Sequence, residues 1–332
     1  MIVTKTPYRI SFFGGGTDYP GWYRENGGSV LSVTIDKYCY ITCRYLPKFF
    51  DHKHRFVYSE IESVNEISQI RHPAIKGVLE WLQWDLGIEL HHDGDLPARS
   101  GLGSSSAFTV GLLNTLYAMR GQRRSKHQLA VDAIHVEQNV IKEAVGSQDQ
   151  IAAAYGGFNK IDFVADEEFV VNPIIVTKQR AQDFHHHLML FYTGQSRIAA
   201  VVAKSKIDNI KSNSIALGTI QESVDLALQV LVNESLDICQ LGYLMHDAWG
   251  RKKSLSTQVS TELIDWAYAA AINAGALGGK ILGAGGGGFL LFFVPPDKKQ
   301  DVRSALGNFL EVPFNFEYDG SSVTIYQPTE IF

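Results

Sequence analysis

The sequence predicts an α+β protein built from two domains. A chain of 332 residues is too long for one typical domain of about 150 residues and suits two. β-Branched and aromatic runs fill its beginning, helical periodicity dominates later, and the order does not alternate strictly as in a βαβ barrel. The pattern becomes irregular around residues 165–185, so we divide the chain into residues 1–175 and 176–332.

Strands and one helix are predicted for the first part of the chain. The segments MIVTKT, YRISFF, SVLSVTID and YCYITCRYL are rich in β-branched and aromatic residues. Glycines at 14–16 and 27–28 separate these strands. A helix is predicted after Pro73, because apolar residues then recur at helical spacing.

Two further helices are predicted before the boundary. The glycine-serine loop 100–106 leads into a helix whose apolar residues recur every three or four positions. Ser125 and Gln128 predict a capping box at the start of the next helix. That helix places Glu137 on the same face as Ile134. A carboxylate in an apolar row is an exception that requires a partner or a function.

The second half of the chain mixes strands and helices. A strand is predicted over 187–192, and helical stretches follow across roughly 197–274. Strands lie on either side of the glycines at 285–288, a helix is predicted from about 296 to 310, and a last strand lies near 322–326. This order fits two layers of α+β structure.

Charge and composition exclude several classes of protein. With 30 basic and 35 acidic residues, the net charge is −5, so no global basic field attracts nucleic acid or an anionic membrane. The apolar stretch 100–119 is rich in serine and glycine, and 281–296 is shorter than the ~20 residues of a membrane helix. The start, MIVTKTPYRIS, lacks the apolar core of a signal peptide. The scattered Cys39, Cys43 and Cys239 favour a reducing, cytoplasmic compartment.

Two glycine-rich segments do not fit the known nucleotide-binding patterns. A Walker loop requires a glycine, four residues and Gly-Lys-Ser/Thr, but Ala274 and Ile281 break this pattern around Lys280. The sequence of residues 283–288 fits the pattern G-x-G-x-x-G. The run FLLFFV that follows predicts a strand, whereas a dinucleotide site requires a helix there.

The segment LPARSGLGSSSAFTV, residues 96–110, is a better phosphate loop. Gly101 and Gly103 allow the backbone to approach an anion closely, and the serines lead directly into a helix. Free N–H groups and the helix dipole favour an anion at that position, and serine hydroxyls can bind a magnesium ion. The alternative, a serine that caps an ordinary helix, explains one serine but not three serines with two glycines.

Three segments in order resemble the motifs of the GHMP small-molecule kinases, a family that includes galactokinase, homoserine kinase, mevalonate kinase and heptose-phosphate kinases. They are PYRISFFGGGTDYP (7–20), LPARSGLGSSSAF (96–108) and KILGAGGGGFLLF (280–292). The resemblance implies a ribosomal-S5-like N-terminal domain, a ferredoxin-like C-terminal domain, and ATP with Mg²⁺. The ATP-binding residues that it implies are Ser100, Gly101, Leu102, Gly103, Ser104, Ser105 and Ser106.

The resemblance also assigns catalytic residues. Asp149, in Gly-Ser-Gln-Asp-Gln, matches the aspartate that acts as the base in galactokinase-like members. Arg9 stands where relatives keep a lysine or arginine; a guanidinium stays charged and cannot act as the base, so it supports Asp149. The alternatives are that Ser147 caps a helix whose first turn suits Asp149, and that Arg9 is a surface residue.

A magnesium site is implied in the same way. Glu137 lies twelve residues before Asp149, the spacing at which the resemblance places the magnesium carboxylate. The implied serine partner is Ser105, with Ser104 and Ser106 less favoured. The alternative is a buried structural glutamate paired with an arginine.

The loop before Asp18 indicates which sugar is the substrate. Asp18 resembles the aspartate that holds sugar hydroxyls, with Gly15, Gly16 and Thr17 beside it. Galactokinase has Gly-Glu-His-Thr-Asp here, so this loop lacks two sugar-facing groups and galactose is disfavoured. The loop and the segment YTGQSR (192–197) look like the branch that phosphorylates D-glycero-D-manno-heptose 7-phosphate at the anomeric position.

The implied substrates are ATP and a small sugar phosphate, with neither nucleic acid nor membrane as a partner. Arg197 is the candidate anchor for the sugar's phosphate, and its alternative is a solvated arginine at a helix start. A kinase for a free sugar such as fucose, or a sugar or nucleotide sensor without turnover, are the competing functions. The oligomeric state is left open, a dimer included.

Overall fold

Two β-sheets organise the protein in a computed structural model that describes residues 1–164, 168–195 and 213–328. The N-terminal sheet is built on a long antiparallel pair, β1 (Ile2–Phe13) and β2 (Gly28–Tyr45), joined by the short helix α1 (Pro20–Asn26). Register runs from Ile2 opposite Cys43 to Phe13 opposite Leu31. This pair carries Arg9 and ends at the loop that contains Asp18.

Further strands extend this sheet on both sides of the pair. The order is β13-β1-β2-β5-β3-β4, while β6 and β12 also pair with β2 and β7 pairs with β6. The strands are β3 (His54–Val57), β4 (Ile61–Val64), β5 (Ile88–Gly94), β6 (Phe158–Phe163), β7 (Phe169–Pro173), β12 (Phe316–Glu317) and β13 (Ser322–Tyr326).

Helices pack against one another and against this sheet. They are α2 (Pro73–Trp81), α3 (Ser104–Met119), α4 (Lys126–His135) and α5 (Gln148–Tyr155), with a π-helical turn at Val136–Val140 after α4. Helix α3 contacts β1, β2, α4 and α5, and residues on all its sides are buried. A helix that is apolar all round is a core element, so the phosphate loop that precedes it is attached directly to the protein core.

The second sheet has the order β11-β8-β10-β9. Its strands are β8 (Leu188–Tyr192), β9 (Gly278–Ile281), β10 (Phe289–Phe293) and β11 (Leu310–Glu311). The helices of this half are α6 (Lys178–His186), α7 (Ser214–Val232), α8 (Gln240–Ser254), α9 (Glu262–Asn273) and α10 (Lys299–Ala305). Helices α8 and α9 pack on β9, while α7 packs on α8 and also contacts β1 and β2.

Helix α7 is long and apolar enough to cross a membrane by length and composition. One face of it, which includes Leu217, Val224 and Leu231, is buried in the protein core.

The end of the chain returns to the first sheet. Strand β12 pairs with β2, and β13 pairs with β1. A division into residues 1–175 and 176–332 therefore places these strands in the wrong sheet. The sequence shows that 322–326 has strand propensity, but propensity carries no information on which distant strand accepts it.

Several elements differ from their predictions. Helices α1 and α6 and strand β7 were not expected, because short elements give little periodic signal. The helix expected over 296–310 is shorter, since α10 ends at Ala305. Ser125 does cap α4, but the side chain of Gln128 donates to Asp132 (2.8 Å), so the reciprocal half of the capping box is not made.

A buried lysine joins the two sheets. Lys280 on β9 is 6% exposed, and its Nζ donates to the carbonyl oxygens of Ser11 (2.9 Å) and Phe12 (2.8 Å) at the end of β1. These contacts hold the second half of the protein on the strand that leads into the Asp18 loop.

We expect Lys280→Met to destabilise the protein by about 2–4 kcal/mol, because two buried carbonyl groups lose a charged donor. Urea unfolding of the two proteins measures this difference. Lys298→Met is the matched control, since Lys298 is exposed and its Nζ lies 3.9 Å from Asp301 on the surface. Equal midpoints for both variants would contradict the role given to Lys280.

Candidate active site

A pocket lies where the three motifs meet. It is lined by the Asp18 loop, the phosphate loop, the segment 143–149 and the start of the glycine loop at Gly283. The first three come from the half of the chain that holds the first sheet, and the fourth lies between β9 and β10. Motifs that are far apart in the sequence therefore form one site.

The glycines of the third motif allow backbone to pack on backbone. A Cβ atom on Gly283 would lie 2.5 Å from Gly101 Cα, and one on Gly288 would lie 2.2 Å from the carbonyl oxygen of Ser100. A Cβ on Gly101 would in turn lie 2.5 Å from the Leu282 carbonyl oxygen. The third motif thus supports the phosphate loop, which explains its glycine density without a dinucleotide.

The phosphate loop ends at the N-terminus of α3. Gly103 occupies the cap position with φ +74° and offers no side-chain acceptor for the first helical N–H groups. The hydroxyl of Ser104 instead accepts from the backbone N–H of Arg99 (3.1 Å). An uncapped N-terminus that lines a pocket is suited to bind an anion.

The predicted ATP-binding residues divide into two groups. Ser100 and Leu102 are buried and support the loop from below, with the Leu102 carbonyl oxygen accepting from Arg9 N (3.0 Å). The pocket is lined by Gly101, Gly103, Ser104, Ser105 and Ser106.

Arg9 and Asp149 form a bidentate ion pair at the floor of the pocket. Arg9 Nε lies 2.7 Å from Asp149 Oδ1, and Nη2 lies 2.8 Å from Oδ2. The remaining nitrogen, Nη1, donates to the Gly101 carbonyl oxygen (2.8 Å). Arg9 is 3% exposed, so it is not a surface residue, whereas the Asp149 side chain keeps 26% exposure towards the pocket.

Local structure places Asp149 beside the phosphate loop. It lies in the first turn of α5, where a carboxylate suits the helix dipole. Ser147 stands at the cap position but makes no capping bond; its hydroxyl accepts from Gln138 Nε2 (3.1 Å). The alternative in which Ser147 caps this helix is therefore not seen in the structure.

Glu137 lies in the π-helical turn and is 1% exposed. Its Oε2 accepts from Ser106 Oγ (2.9 Å) and from Gln150 Nε2, and Oε1 has no hydrogen-bond partner among the described residues. Among the described residues no arginine pairs with Glu137, so the alternative of a buried glutamate–arginine pair is not supported. Burial raises the pKa of Glu137 from 4.5 to about 7; the side chains of Thr109, Ser106 and Gln150 act against this shift, and the nearby charge of Glu143 acts in the same direction as burial.

This environment fits a cation. A buried carboxylate oxygen without a partner is costly unless a proton or a positive ion accompanies it. The serine that contacts Glu137 is Ser106, while Ser105, the expected partner, is exposed at the pocket. The structure thus favours Ser106 as the serine beside Glu137.

Asp18 is held from both sides at the wall of the pocket. Its Oδ1 accepts from Gly16 N (2.9 Å) and its Oδ2 accepts from Gln148 Nε2 (2.9 Å). Burial raises its pKa, and the two hydrogen bonds act against this shift. A Cβ on Gly146 would lie 1.9 Å from Asp18 Oδ2, so only glycine fits there.

The other residues of the Asp18 loop have different roles. Gly15 and Gly16 line the pocket. Thr17 is fully buried, and its hydroxyl donates to the carbonyl oxygens of Gly14 and Ser29 (2.9 Å each). Thr17 shapes the loop from inside. Arg197 lies outside the residues that the structure describes.

Some pocket residues were not found from the sequence. Tyr19, Arg99, Glu143, Gln148 and Lys252 line the pocket. Tyr19, Arg99 and Gln148 stand within the recognised motifs, and Glu143 lies between Glu137 and Asp149, which is a signal that could have found them. Lys252 lies on α8, far from every motif, and its Nζ donates to the carbonyl oxygens of Ile281 (2.9 Å) and Gly283 (2.7 Å).

Comparison with known proteins agrees with this geometry. Residues 70–157 match the GHMP kinases N terminal domain, and residues 233–312 match the GHMP kinases C terminal domain. The chain is 30% identical over 319 residues to D-glycero-alpha-D-manno-heptose 7-phosphate kinase of Campylobacter jejuni, with 92% of this chain and 93% of that protein covered.

Two further similarities extend the comparison. A bifunctional fucokinase/GDP-fucose pyrophosphorylase of Arabidopsis thaliana is 24% identical over 335 residues, which cover 92% of this chain and 31% of that protein. The crystal structure of a D-glycero-D-manno-heptose 1-phosphate kinase from Bacteroides thetaiotaomicron has a TM-score of 0.80 and 25% identity, with 98% of this chain and 100% of that chain covered.

The ribosomal-S5-like and ferredoxin-like arrangement expected from the motifs agrees with these full-length structural matches. Sequence similarity, fold and the meeting of the three motifs at one pocket lead to the same conclusion. The chain belongs to the GHMP kinase family and is a phosphotransferase that acts on a sugar hydroxyl.

Proposed function

We propose that this kinase uses magnesium and ATP to phosphorylate the anomeric hydroxyl of D-glycero-D-manno-heptose 7-phosphate, yielding the 1,7-bisphosphate. The observation that carries the proposal is the Arg9–Asp149 pair, which holds a partly exposed carboxylate between the phosphate loop and the Asp18 loop. The choice of sugar is supported by the name of the Campylobacter jejuni relative and by the glycines at 14–16.

The pocket supplies the parts that phosphoryl transfer requires. The triphosphate of ATP lies on the N-terminus of α3, and Asp149 accepts a hydrogen bond from the anomeric hydroxyl. As the sugar oxygen bonds to the γ-phosphorus, the bond from that phosphorus to the β,γ-bridging oxygen breaks. The hydroxyl proton passes to Asp149 and ADP leaves. Arg9 keeps Asp149 oriented and offsets the negative charge that gathers at the site.

Glu137 would hold Mg²⁺, together with a serine hydroxyl of the phosphate loop. Its unpartnered Oε1 is the support for this role. The candidate serines are Ser106, which donates to Glu137 Oε2, and Ser105, which lines the pocket. When bound, Mg²⁺ neutralises charge on the phosphate oxygens.

The sugar lies against the Asp18 loop. Asp18 accepts hydrogen bonds from sugar hydroxyls, and Gly15 and Gly16 leave room for a large sugar. Arg197 binds the phosphate that the substrate already carries, since a dianion requires a cation.

A kinase for a free sugar is the second candidate. The fucokinase relative favours it, as does the similarity of the third motif to that of fucose kinases. The names of the two heptose kinase relatives also differ in the phosphate that they mention, the 7-phosphate in one and the 1-phosphate in the other. A sensor without turnover is disfavoured, because Glu137, Asp149 and the serine loop are all present.

A panel of acceptors distinguishes these functions. We expect kcat/KM for heptose 7-phosphate to exceed that for mannose, fucose and galactose by about 10- to 100-fold, because a charged hydrogen bond to the phosphate contributes to binding. ADP release measures turnover, and ³¹P NMR identifies the new phosphate as anomeric. Heptose 1-phosphate and mannose 6-phosphate complete the panel. Faster turnover of a free sugar would contradict the proposal.

Arg197→Ala separates the phosphate anchor from the rest of the site. We expect this variant to raise KM for heptose 7-phosphate and to leave the kinetics of any free sugar unchanged. A loss of the same size for phosphorylated and free sugars would assign Arg197 a different role.

The pKa of Glu137 leads to a pH-dependent prediction for the metal-free protein. The unfolded chain ionises this carboxyl above pH 4.5, whereas the folded protein keeps its proton until about pH 7. Wild type should therefore lose stability relative to Glu137→Gln as the pH rises from 4.5 to 7, and the difference should level off above pH 7. Urea unfolding of both proteins across this range gives the difference.

Glu25→Gln is the control, because it removes a carboxyl group that is exposed on α1 and that folding does not bury. A difference between wild type and Glu137→Gln that stays constant from pH 4.5 to 7 would show that Glu137 is ionised throughout and would contradict this account of its burial.

A further inference from the structure

Tyr19 presents a polar group to the pocket that the proposed mechanism does not use. It directly follows Asp18, and its side chain lines the pocket while remaining only 9% exposed. Its carbonyl oxygen accepts from Trp22 N (2.9 Å) and Tyr23 N (3.1 Å), so the start of α1 fixes its position. Within residues 1–164, 168–195 and 213–328, no side chain or backbone group forms a hydrogen bond with its hydroxyl.

The phenol lies among the charged groups of the site. Burial raises the pKa of Tyr19, the carboxylates of Asp18 and Asp149 raise it further, and the guanidinium of Arg9 lowers it. The hydroxyl therefore keeps its proton at neutral pH. It is a hydrogen-bond donor close enough to Asp18, Asp149 and Arg9 for their charges to act on it.

The carboxylates already have partners of their own. Asp149 is paired with Arg9, and the two oxygens of Asp18 accept from Gly16 N and Gln148 Nε2. The hydroxyl of Tyr19 belongs to a residue that lines the pocket and has no protein partner among the described residues, so a polar atom of a bound substrate can serve as its partner.

A second tyrosine in this region, Tyr23, has a hydroxyl whose partner lies within the protein. Tyr23, one helical turn further on, is 3% exposed and does not line the pocket. Its hydroxyl lies 3.3 Å from Ser147 Oγ, and its ring stacks on Phe163 with centroids 5.3 Å apart. Tyr23 is thus satisfied within the protein, whereas Tyr19 is open to the pocket.

We propose that the hydroxyl of Tyr19 binds the acceptor sugar, by a hydrogen bond to a hydroxyl group adjacent to the reacting one. Tyr19 then determines specificity for the arrangement of sugar hydroxyls and takes no part in proton transfer. Its place beside Asp18 assigns it to the acceptor and not to the nucleotide, whose phosphates belong at the N-terminus of α3. This inference rests on the proposed function, because it requires a polyhydroxylated acceptor in the pocket.

The test compares wild type with Tyr19→Phe, using whichever sugar the wild-type enzyme phosphorylates fastest. The test of Tyr19 therefore remains valid even if the substrate is not heptose 7-phosphate. We expect KM for the sugar to rise by about 3- to 10-fold, the loss of one neutral hydrogen bond, while kcat and KM for ATP stay within about 2-fold. Monodeoxy analogues of the sugar, each lacking one non-anomeric hydroxyl, identify the contacted group.

For one analogue, wild type and Tyr19→Phe should have equal KM values, because the contact is then absent from both. A KM ratio between the two enzymes that is the same for every analogue would overturn the proposal, as would a loss confined to kcat or to KM for ATP. Tyr23→Phe is the matched control: it should lower the urea midpoint and leave the ratios across the analogues unchanged.

Discussion

The ion pair between Arg9 and Asp149 is the interaction on which the rest of the site depends. Arg9 uses its side chain to bind Asp149 and the Gly101 carbonyl oxygen, and its backbone N–H to bind the Leu102 carbonyl oxygen. One residue of β1 therefore fixes the carboxylate and the phosphate loop relative to each other. Because a guanidinium stays charged and planar, Arg9 holds the ionised Asp149 in one fixed orientation.

The second half of the chain mainly holds the phosphate loop and the end of β1 in place. The glycine loop approaches the phosphate loop so closely that a Cβ on Gly283 or Gly288 would collide with its backbone. Two buried lysines hold this approach: Lys252 donates to the carbonyl oxygens of Ile281 and Gly283, and Lys280 donates to those of Ser11 and Phe12. These charged donors on backbone carbonyls keep the loop in place, and Lys252 also lines the pocket.

Much of the site could be predicted from the sequence because its residues lie in short, contiguous motifs. Arg9, Asp18 and Asp149 line the pocket where their motifs meet, and Glu137, assigned by its spacing from Asp149, contacts Ser106 of the phosphate loop. Contacts between distant segments could not be predicted. Three examples show this. The π-helical turn determines which serine contacts Glu137. The C-terminal strands pair with the first sheet, and Lys252 reaches the pocket from a helix that carries no motif.

The most direct test of this account is a double-mutant cycle of Arg9→Met and Asp149→Asn, measured as single-turnover phosphoryl transfer with saturating Mg-ATP and sugar. Removing the base should slow transfer by at least about 100-fold. Because the two residues act as one unit, we predict that the double variant is no slower than the slower single variant. Near wild-type transfer by Asp149→Asn, or losses that multiply in the double variant, would contradict the central role of this pair.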